Sequence, residues 1–183
     1  MIQSGMPYDT VFTADIGEHL LFALHGLRVS RPDGLIASLA LGSMGSGIGA
    51  AIGARLASPD RPVVSICGDY GFQMYGAELS TCVQERASVV FAIMNDARMR
   101  MVEAGVQRNY GRTMAMDGPR IDFAALARAH GARGCTVDTL DDLRSAIETR
   151  PTDGPMVLDI RIDPDARFPA NARAQEISNF PAR

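Results

Sequence analysis

Two short apolar runs, Val63 to Cys67 and Val89 to Met94, each close on an aspartate, as Gly68-Asp69 and as Asn95-Asp96. Continuous apolar character over five or six residues marks strands buried on both faces, the kind that build parallel sheets. A helix-length stretch separates them, so the two strands pair through a crossover and their carboxyl ends lie side by side. Whatever this chain folds into, Asp69 and Asp96 are brought to neighbouring strand tips.

The same alternation runs through the rest of the chain. Thr10 to Ala14 is a short strand ending at Asp15-Ile16-Gly17, and Glu18 to Leu27 is helical. Leu35 to Leu41 is apolar and closes on Gly42-Ser43-Met44-Gly45. Ile48 to Ala57 carries the small residues of a helix packed tightly on a sheet, and Pro59-Asp60-Arg61-Pro62 is a turn. Met74 to Gln84 is helical, Arg98 to Gln107 a short helix, and Asn109 to Pro119 a polar loop long enough to suggest function. Asp122 opens a helix to His130, Cys135 to Val137 is a strand, Thr139 to Thr149 a capped helix, and Met156 to Ile162 a last strand. The tail from Asp163 has a weak helical signal at Arg173 to Ile177. One α/β domain over residues 1–183 follows, with a tail at about 163–183: a doubly wound three-layer sandwich around a mostly parallel central sheet.

Composition excludes several classes. A net charge of −3 without a basic run argues against a nucleic-acid partner. No apolar run reaches membrane-spanning length, and the N-terminus lacks the basic-then-apolar order of a signal peptide. Cys67, Cys82 and Cys135 are odd in number and set in apolar stretches, so they read as reduced core thiols of a cytoplasmic protein. The ten methionines read as core filling, Met44 excepted.

Two carboxylates at adjacent strand tips suit Mg²⁺ held against a diphosphate, with the Arg98 backbone carbonyl as a third ligand. Gly68 and Gly71 would let backbone N–H groups approach phosphate. Taken alone, strand-Gly-Asp fits ordinary helix capping equally well.

The ordered series Asp15-Ile16-Gly17-Glu18-His19, Gly42-Ser43-Met44-Gly45, Gly68-Asp69-Tyr70-Gly71-Phe72-Gln73-Met74 and Met94-Asn95-Asp96 resembles the diphosphate-binding domain of thiamine diphosphate enzymes. The resemblance is particularly to the acetolactate synthase and benzoylformate decarboxylase group, and it spans about Thr10 to Asp165. By that resemblance Asp69, Asp96 and the Arg98 carbonyl are Mg²⁺ ligands. Gly17, Glu18, His19, Tyr70 and Gly71, with Ile16 beside them and Gly68 flanking the metal ligand, adjoin the diphosphate. Gly42 and Met44 meet the aminopyrimidine, Met44 as the wedge that bends the cofactor, and Met99 and Met101 border the substrate. Val102 reads instead as part of a buried helix face. Three positions depart from the family: Tyr70 stands for the second Gly of Gly-Asp-Gly, Asp96 for the second Asn, and Glu18 for the Gln usual in acetolactate synthases.

His19 is the one histidine near this centre, a candidate for cofactor or substrate contact and the one possible catalytic residue here. His25 reads as packed or surface, and His130 as a helix-terminal residue. The resemblance implies that the glutamate activating the cofactor lies on a separate pyrimidine-binding domain, expected on a separately encoded partner subunit in an αβ or α₂β₂ assembly. It further implies a small 2-oxo acid substrate, decarboxylated and in some relatives ligated to a second carbonyl. A sulfopyruvate- or phosphonopyruvate-type decarboxylase subunit, reading Arg98, Arg100, Arg108 and Arg112 as a basic pocket, and a non-catalytic subunit without cofactor, supported by Tyr70, remain alternatives. A nicotinamide-binding reading of Gly45-Ser46-Gly47-Ile48-Gly49 fails on spacing.

Overall fold

A computed structural model describes residues 1–166, so the weak helical signal at Arg173 to Ile177 lies outside the described residues. Six strands form one sheet in the order β2-β1-β3-β4-β6-β5. They are β1 (Val11–Ala14), β2 (Leu35–Ile36), β3 (Val63–Gly68), β4 (Val89–Asn95), β5 (Arg133–Val137) and β6 (Met156–Arg161). Every pairing is parallel, a firmer result than the mostly parallel sheet expected.

Side chains alternate along each strand and so divide the core into two layers. Val63, Val89, Phe91 and Ile93 face α2 (Ser46–Ala57), α3 (Asp69–Tyr75), α4 (Leu79–Gln84) and α6 (Phe123–Ala129). Val64, Val90, Ala92 and Leu158 face α1 (Glu18–Gly26) and α7 (Leu140–Glu148). Phe72 anchors the first layer edge-on to Phe91 and Phe123, with ring centroids 5.8 and 5.5 Å away. The expected three-layer sandwich is therefore present.

Local signals explain most boundaries. Asp122 caps α6 by accepting from the Ala125 N–H at 2.8 Å, and Thr139 and Asp142 form a reciprocal capping box on α7. Four expectations need correction. The apolar stretch Leu35 to Leu41 contributes only two residues to the sheet, Leu35 beside Phe12 and Ile36 beside Thr13; Leu39 and Leu41 are left 62% and 92% exposed. The helix expected from Met74 starts at Asp69 and is broken by a 3₁₀ turn at Gly76–Glu78 before α4. The helix expected to end at Gln107 runs as α5 (Arg100–Tyr110) and stops at Gly111 in the left-handed region. α5 buries no residue, so the buried helix face expected around Val102 is not there, and Val102 is 42% exposed. Cys67 and Cys82 are buried and Cys135 is only half-buried; all three are free.

The chain leaves β1 for the sheet edge at β2 and returns on the other side at β3. The β1/β3 boundary is thus a topological switch point, where loops diverge and open a crevice.

Candidate active site

Three loops converge there. The β1 tip passes through Asp15, which is fully buried although it ends an apolar strand. Its carboxylate accepts from the Gly45 N–H at 2.8 Å and the Gly47 N–H at 3.0 Å, fastening the segment that carries Gly42 and Met44 to the end of β1. A Cβ on Gly71 would overlap Asp15 Oδ2, so glycine is needed where α3 crosses this carboxylate. Gly17 sits at φ +157° under the His19 ring, which also covers Gly68. His19 Nε2 is buried without a hydrogen-bond partner among the described residues. Burial holds the His19 pKa below its ordinary value, against the field of Asp15, a hydrogen bond to the Asp15 backbone and the field of Glu18.

The β3 and β4 tips are adjacent, with Gly68 in register with Met94. Asp69, 5% exposed, accepts from the Tyr70 N–H at 2.8 Å and the Ala97 N–H at 2.6 Å. Asp96 Oδ2 lies 2.5 Å from Arg100 Nε, and Arg100 Nη1 lies 3.8 Å from Glu18. Burial raises both aspartate pKa values; the Asp96 charge pushes Asp69 further up, while Arg100 pulls Asp96 back. Two buried carboxylates that repel each other form a donor set that a divalent cation would relieve.

Ala97, between them, is held at φ +60°, a conformation uncommon for a residue with a Cβ. Its N–H serves Asp69, and its carbonyl accepts from the Gly118 N–H at 2.9 Å. The polar loop thus folds back on the β4 tip, with an isolated bridge between Arg98 and Asp117 and the Tyr70 hydroxyl packed against Gly118. The Arg98 side chain turns outward to Glu103 at 2.6 Å and Asp117 at 3.0 Å, leaving only its backbone for the site.

A cavity of about 1250 Å³ opens at these tips and extends past α1 to the N-terminal segment. Every residue that the resemblance places at the metal, cofactor or substrate lines it: Ile16, Gly17, Glu18, His19, Gly42, Met44, Gly68, Asp69, Tyr70, Gly71, Asp96, Arg98, Met99 and Met101. His25, His130, Arg108 and Arg112 do not line it, and His130 instead meets Ser80 at 2.8 Å. The basic pocket of four arginines therefore does not assemble. Among the described residues no three acidic, histidine or cysteine side chains converge, so a cation here would draw two carboxylates from the chain.

Sequence reasoning missed three groups. Asp15 was visible only as part of a motif. Arg100 was read as one of four arginines in a basic pocket, and its pairing with Asp96 four residues earlier was not drawn. Asp159, fully buried, accepts from Asn95 Nδ2 at 2.7 Å, the Phe123 N–H at 3.1 Å and Arg161 at 2.8 Å, which makes Asn95 a brace of the β4 tip. An aspartate inside the apolar run Met156 to Ile160 was the available signal.

An all-parallel α/β domain with its cavity at the switch point belongs to the class that takes ligands on strand-tip loops. Residues 15–160 match the family described as "Thiamine pyrophosphate enzyme, C-terminal TPP binding domain", and the chain belongs to that family. It is 35% identical over 162 residues to the acetolactate synthase isozyme 2 large subunit of Escherichia coli (strain K12), covering 86% of this chain and 29% of that one. It is 34% identical over 152 residues to the acetolactate synthase of Bacillus subtilis (strain 168), covering 82% and 27%. Among solved structures, the thiamine diphosphate-dependent 4-hydroxybenzoylformate decarboxylase of Rhodococcus jostii RHA1 superposes with a TM-score of 0.81 at 28% identity, covering 88% of this chain and 31% of that one. The chain thus spans less than a third of the length of these relatives.

Proposed function

We propose that this chain holds the diphosphate and Mg²⁺ of thiamine diphosphate in an enzyme that decarboxylates a small 2-oxo acid and passes the product to a second carbonyl, in the manner the names of its acetolactate synthase relatives indicate. The observation that carries the reading is the pair Asp69 and Asp96: two buried, mutually repelling carboxylates at the tips of adjacent strands, inside a cavity at the switch point. Asp69, Asp96 and the Arg98 carbonyl would hold the metal. The backbone around Gly17, Gly68, Tyr70 and Gly71, with Ile16, Glu18 and His19, would receive the diphosphate; Gly42 and Met44 would meet the pyrimidine, and Met99 and Met101 would border the substrate. When bound, thiamine diphosphate supplies an electron sink for loss of CO₂.

The chain's own groups orient and neutralise. Asp15 fixes the Gly42–Gly45 segment against β1, and the Gly118 N–H holds the Ala97 peptide so that the β4 tip keeps one shape. His19, neutral at pH 7 because burial lowers its pKa, can exchange a hydrogen bond or proton at Nε2 within the cavity. In this reading the activating glutamate comes from a pyrimidine-binding domain on a partner subunit, in an αβ or α₂β₂ complex. The exposed Leu39 and Leu41, just before Gly42, support a covering partner at that edge. A cytoplasmic location accords with three free cysteines, of which Cys82 has its pKa pushed up to about 12 by burial.

The experiment is calorimetry of Mg²⁺ and thiamine diphosphate on the full chain, alone and with the partner subunit, followed by CO₂ release from 2-oxo acids. Binding that requires Mg²⁺, and turnover only with the partner, is expected. Absence of heat in both preparations would overturn the reading in favour of a subunit that has lost the cofactor.

A further inference from the structure

We propose that Arg100 is an anion-binding residue of this cavity, its free guanidinium edge taking a phosphate or carboxylate oxygen of the ligand. The side chain is only 10% exposed, yet it lines the cavity, and its Nη2 is buried without a hydrogen-bond partner among the described residues. Its other groups have partners: Nε is ion-paired with Asp96 at 2.5 Å without hydrogen-bond geometry, and Nη1 donates to the Ala166 carbonyl at 3.0 Å with Glu18 at 3.8 Å. These contacts hold the guanidinium in the cavity wall and leave N–H groups unspent at Nη2. A buried donor left unmade is expensive, and an oxyanion would satisfy it with a strong, charge-assisted bond. Arg100 also opens α5, whose N-terminus has no side-chain cap, so the helix dipole adds to the attraction for negative charge at the same point. Arg98 cannot do this work, because Glu103 and Asp117 hold its side chain.

The proposal rests on the cofactor reading above for the identity of the ligand, though not for its charge. Two sources share the chemistry: the terminal phosphate of the diphosphate and the carboxylate of a 2-oxo acid. The full chain, with its partner subunit, is titrated at saturating Mg²⁺ with inorganic pyrophosphate, thiamine monophosphate and thiamine diphosphate, in wild type, Arg100→Lys and Arg100→Gln. If the phosphate is the partner, Arg100→Gln weakens pyrophosphate and thiamine diphosphate by about tenfold to a hundredfold and flattens the preference for diphosphate over monophosphate. If the carboxylate is the partner, cofactor affinity holds and KM for the 2-oxo acid rises by a similar factor at unchanged kcat. Arg100→Lys keeps the charge without the planar fork and recovers only part of either effect.

The double variant Glu18→Gln, Arg100→Gln separates anion binding from simple neutralisation of Glu18: recovery of wild-type affinity in it would overturn the proposal. Unchanged affinities and KM in Arg100→Gln would also overturn it, while leaving the cofactor reading intact. Conversely, Arg100-dependent pyrophosphate binding without thiamine diphosphate binding would support the proposal and sink that reading.

Discussion

Replacing Asp15 with asparagine preserves the shape of the side chain and removes one acceptor from the junction of β1 and α2. In the native fold both carboxylate oxygens are used, by the Gly45 N–H at 2.8 Å and the Gly47 N–H at 3.0 Å, with no exposure to water. Hydrogen bonds to a charged group are worth about 1.5–3 kcal/mol each. Asparagine keeps one carbonyl acceptor, reduced to a neutral bond of about 1 kcal/mol, and turns an NH₂ toward the other N–H. One buried donor is then orphaned against another. Relief from burying a charge works the other way, so the net loss should be about 2–4 kcal/mol. For a chain of this size each kcal/mol shifts the melting temperature by about 2–4 °C. Urea unfolding followed by far-UV circular dichroism should show a lower midpoint at unchanged slope. Limited proteolysis should cut faster near Ser43 and Met44. A loss below about 0.5 kcal/mol would mean that Asp15 does not fasten the loop, and would refute this account of how Met44 is positioned.

Other perturbations test neighbouring links. Gly118→Ala places a Cβ on the Tyr70 hydroxyl and should loosen the loop that holds Ala97, weakening Mg²⁺ binding; adding Tyr70→Ala should restore much of it, and independent effects of the two changes would contradict the contact. His19 has a folded pKa below its unfolded value near 6.5, so the unfolded chain binds the extra proton and stability falls as pH drops through that range. His19→Gln should lessen this acid sensitivity in melting curves, and an unaltered curve would remove His19 as its source. Asp69 and Asp96 carry the opposite sign: with raised pKa values the folded chain keeps protons that the unfolded chain loses, so without metal they favour folding less as pH rises through those values. Mg²⁺ should therefore raise the melting temperature more at pH 8 than at pH 5, and a shift independent of pH would argue against these carboxylates as ligands. Phe72→Ala, which empties the edge-to-face cluster with Phe91 and Phe123, should cost about 3–5 kcal/mol in urea unfolding without changing which ligand binds.

Much of the fold was legible because buried parallel strands advertise themselves: Val63 to Cys67 and Val89 to Met94 lie within β3 and β4. Capping residues were equally plain at Asp122 and Thr139, since each makes its bond within three residues. What failed were features decided by distant partners. Leu35 to Leu41 has strand composition, yet only Leu35 and Ile36 pair with β1, a result that composition does not reveal. Asp69 starts a helix, although Gly68 and Gly71 around it suggest a loop, because its carboxylate satisfies Tyr70 and Ala97 N–H groups. The residues that the resemblance singled out line one cavity, since strand tips follow from the alternation. The bracing by Asp15 and Asp159 depends on contacts across elements that spacing does not encode, whereas the Arg100–Asp96 pair is only four residues apart in the chain.

The central claim is that Asp69 and Asp96 jointly grip a divalent cation. Crystals of the full chain grown with Mn²⁺ and thiamine diphosphate, measured at the manganese absorption edge, test it directly. The account predicts one anomalous peak at ordinary coordination distance, roughly 2.1 Å, from an oxygen of each aspartate, and its disappearance in Asp69→Ala. A peak elsewhere, or strand tips that stay bare while the cofactor is bound, would contradict it.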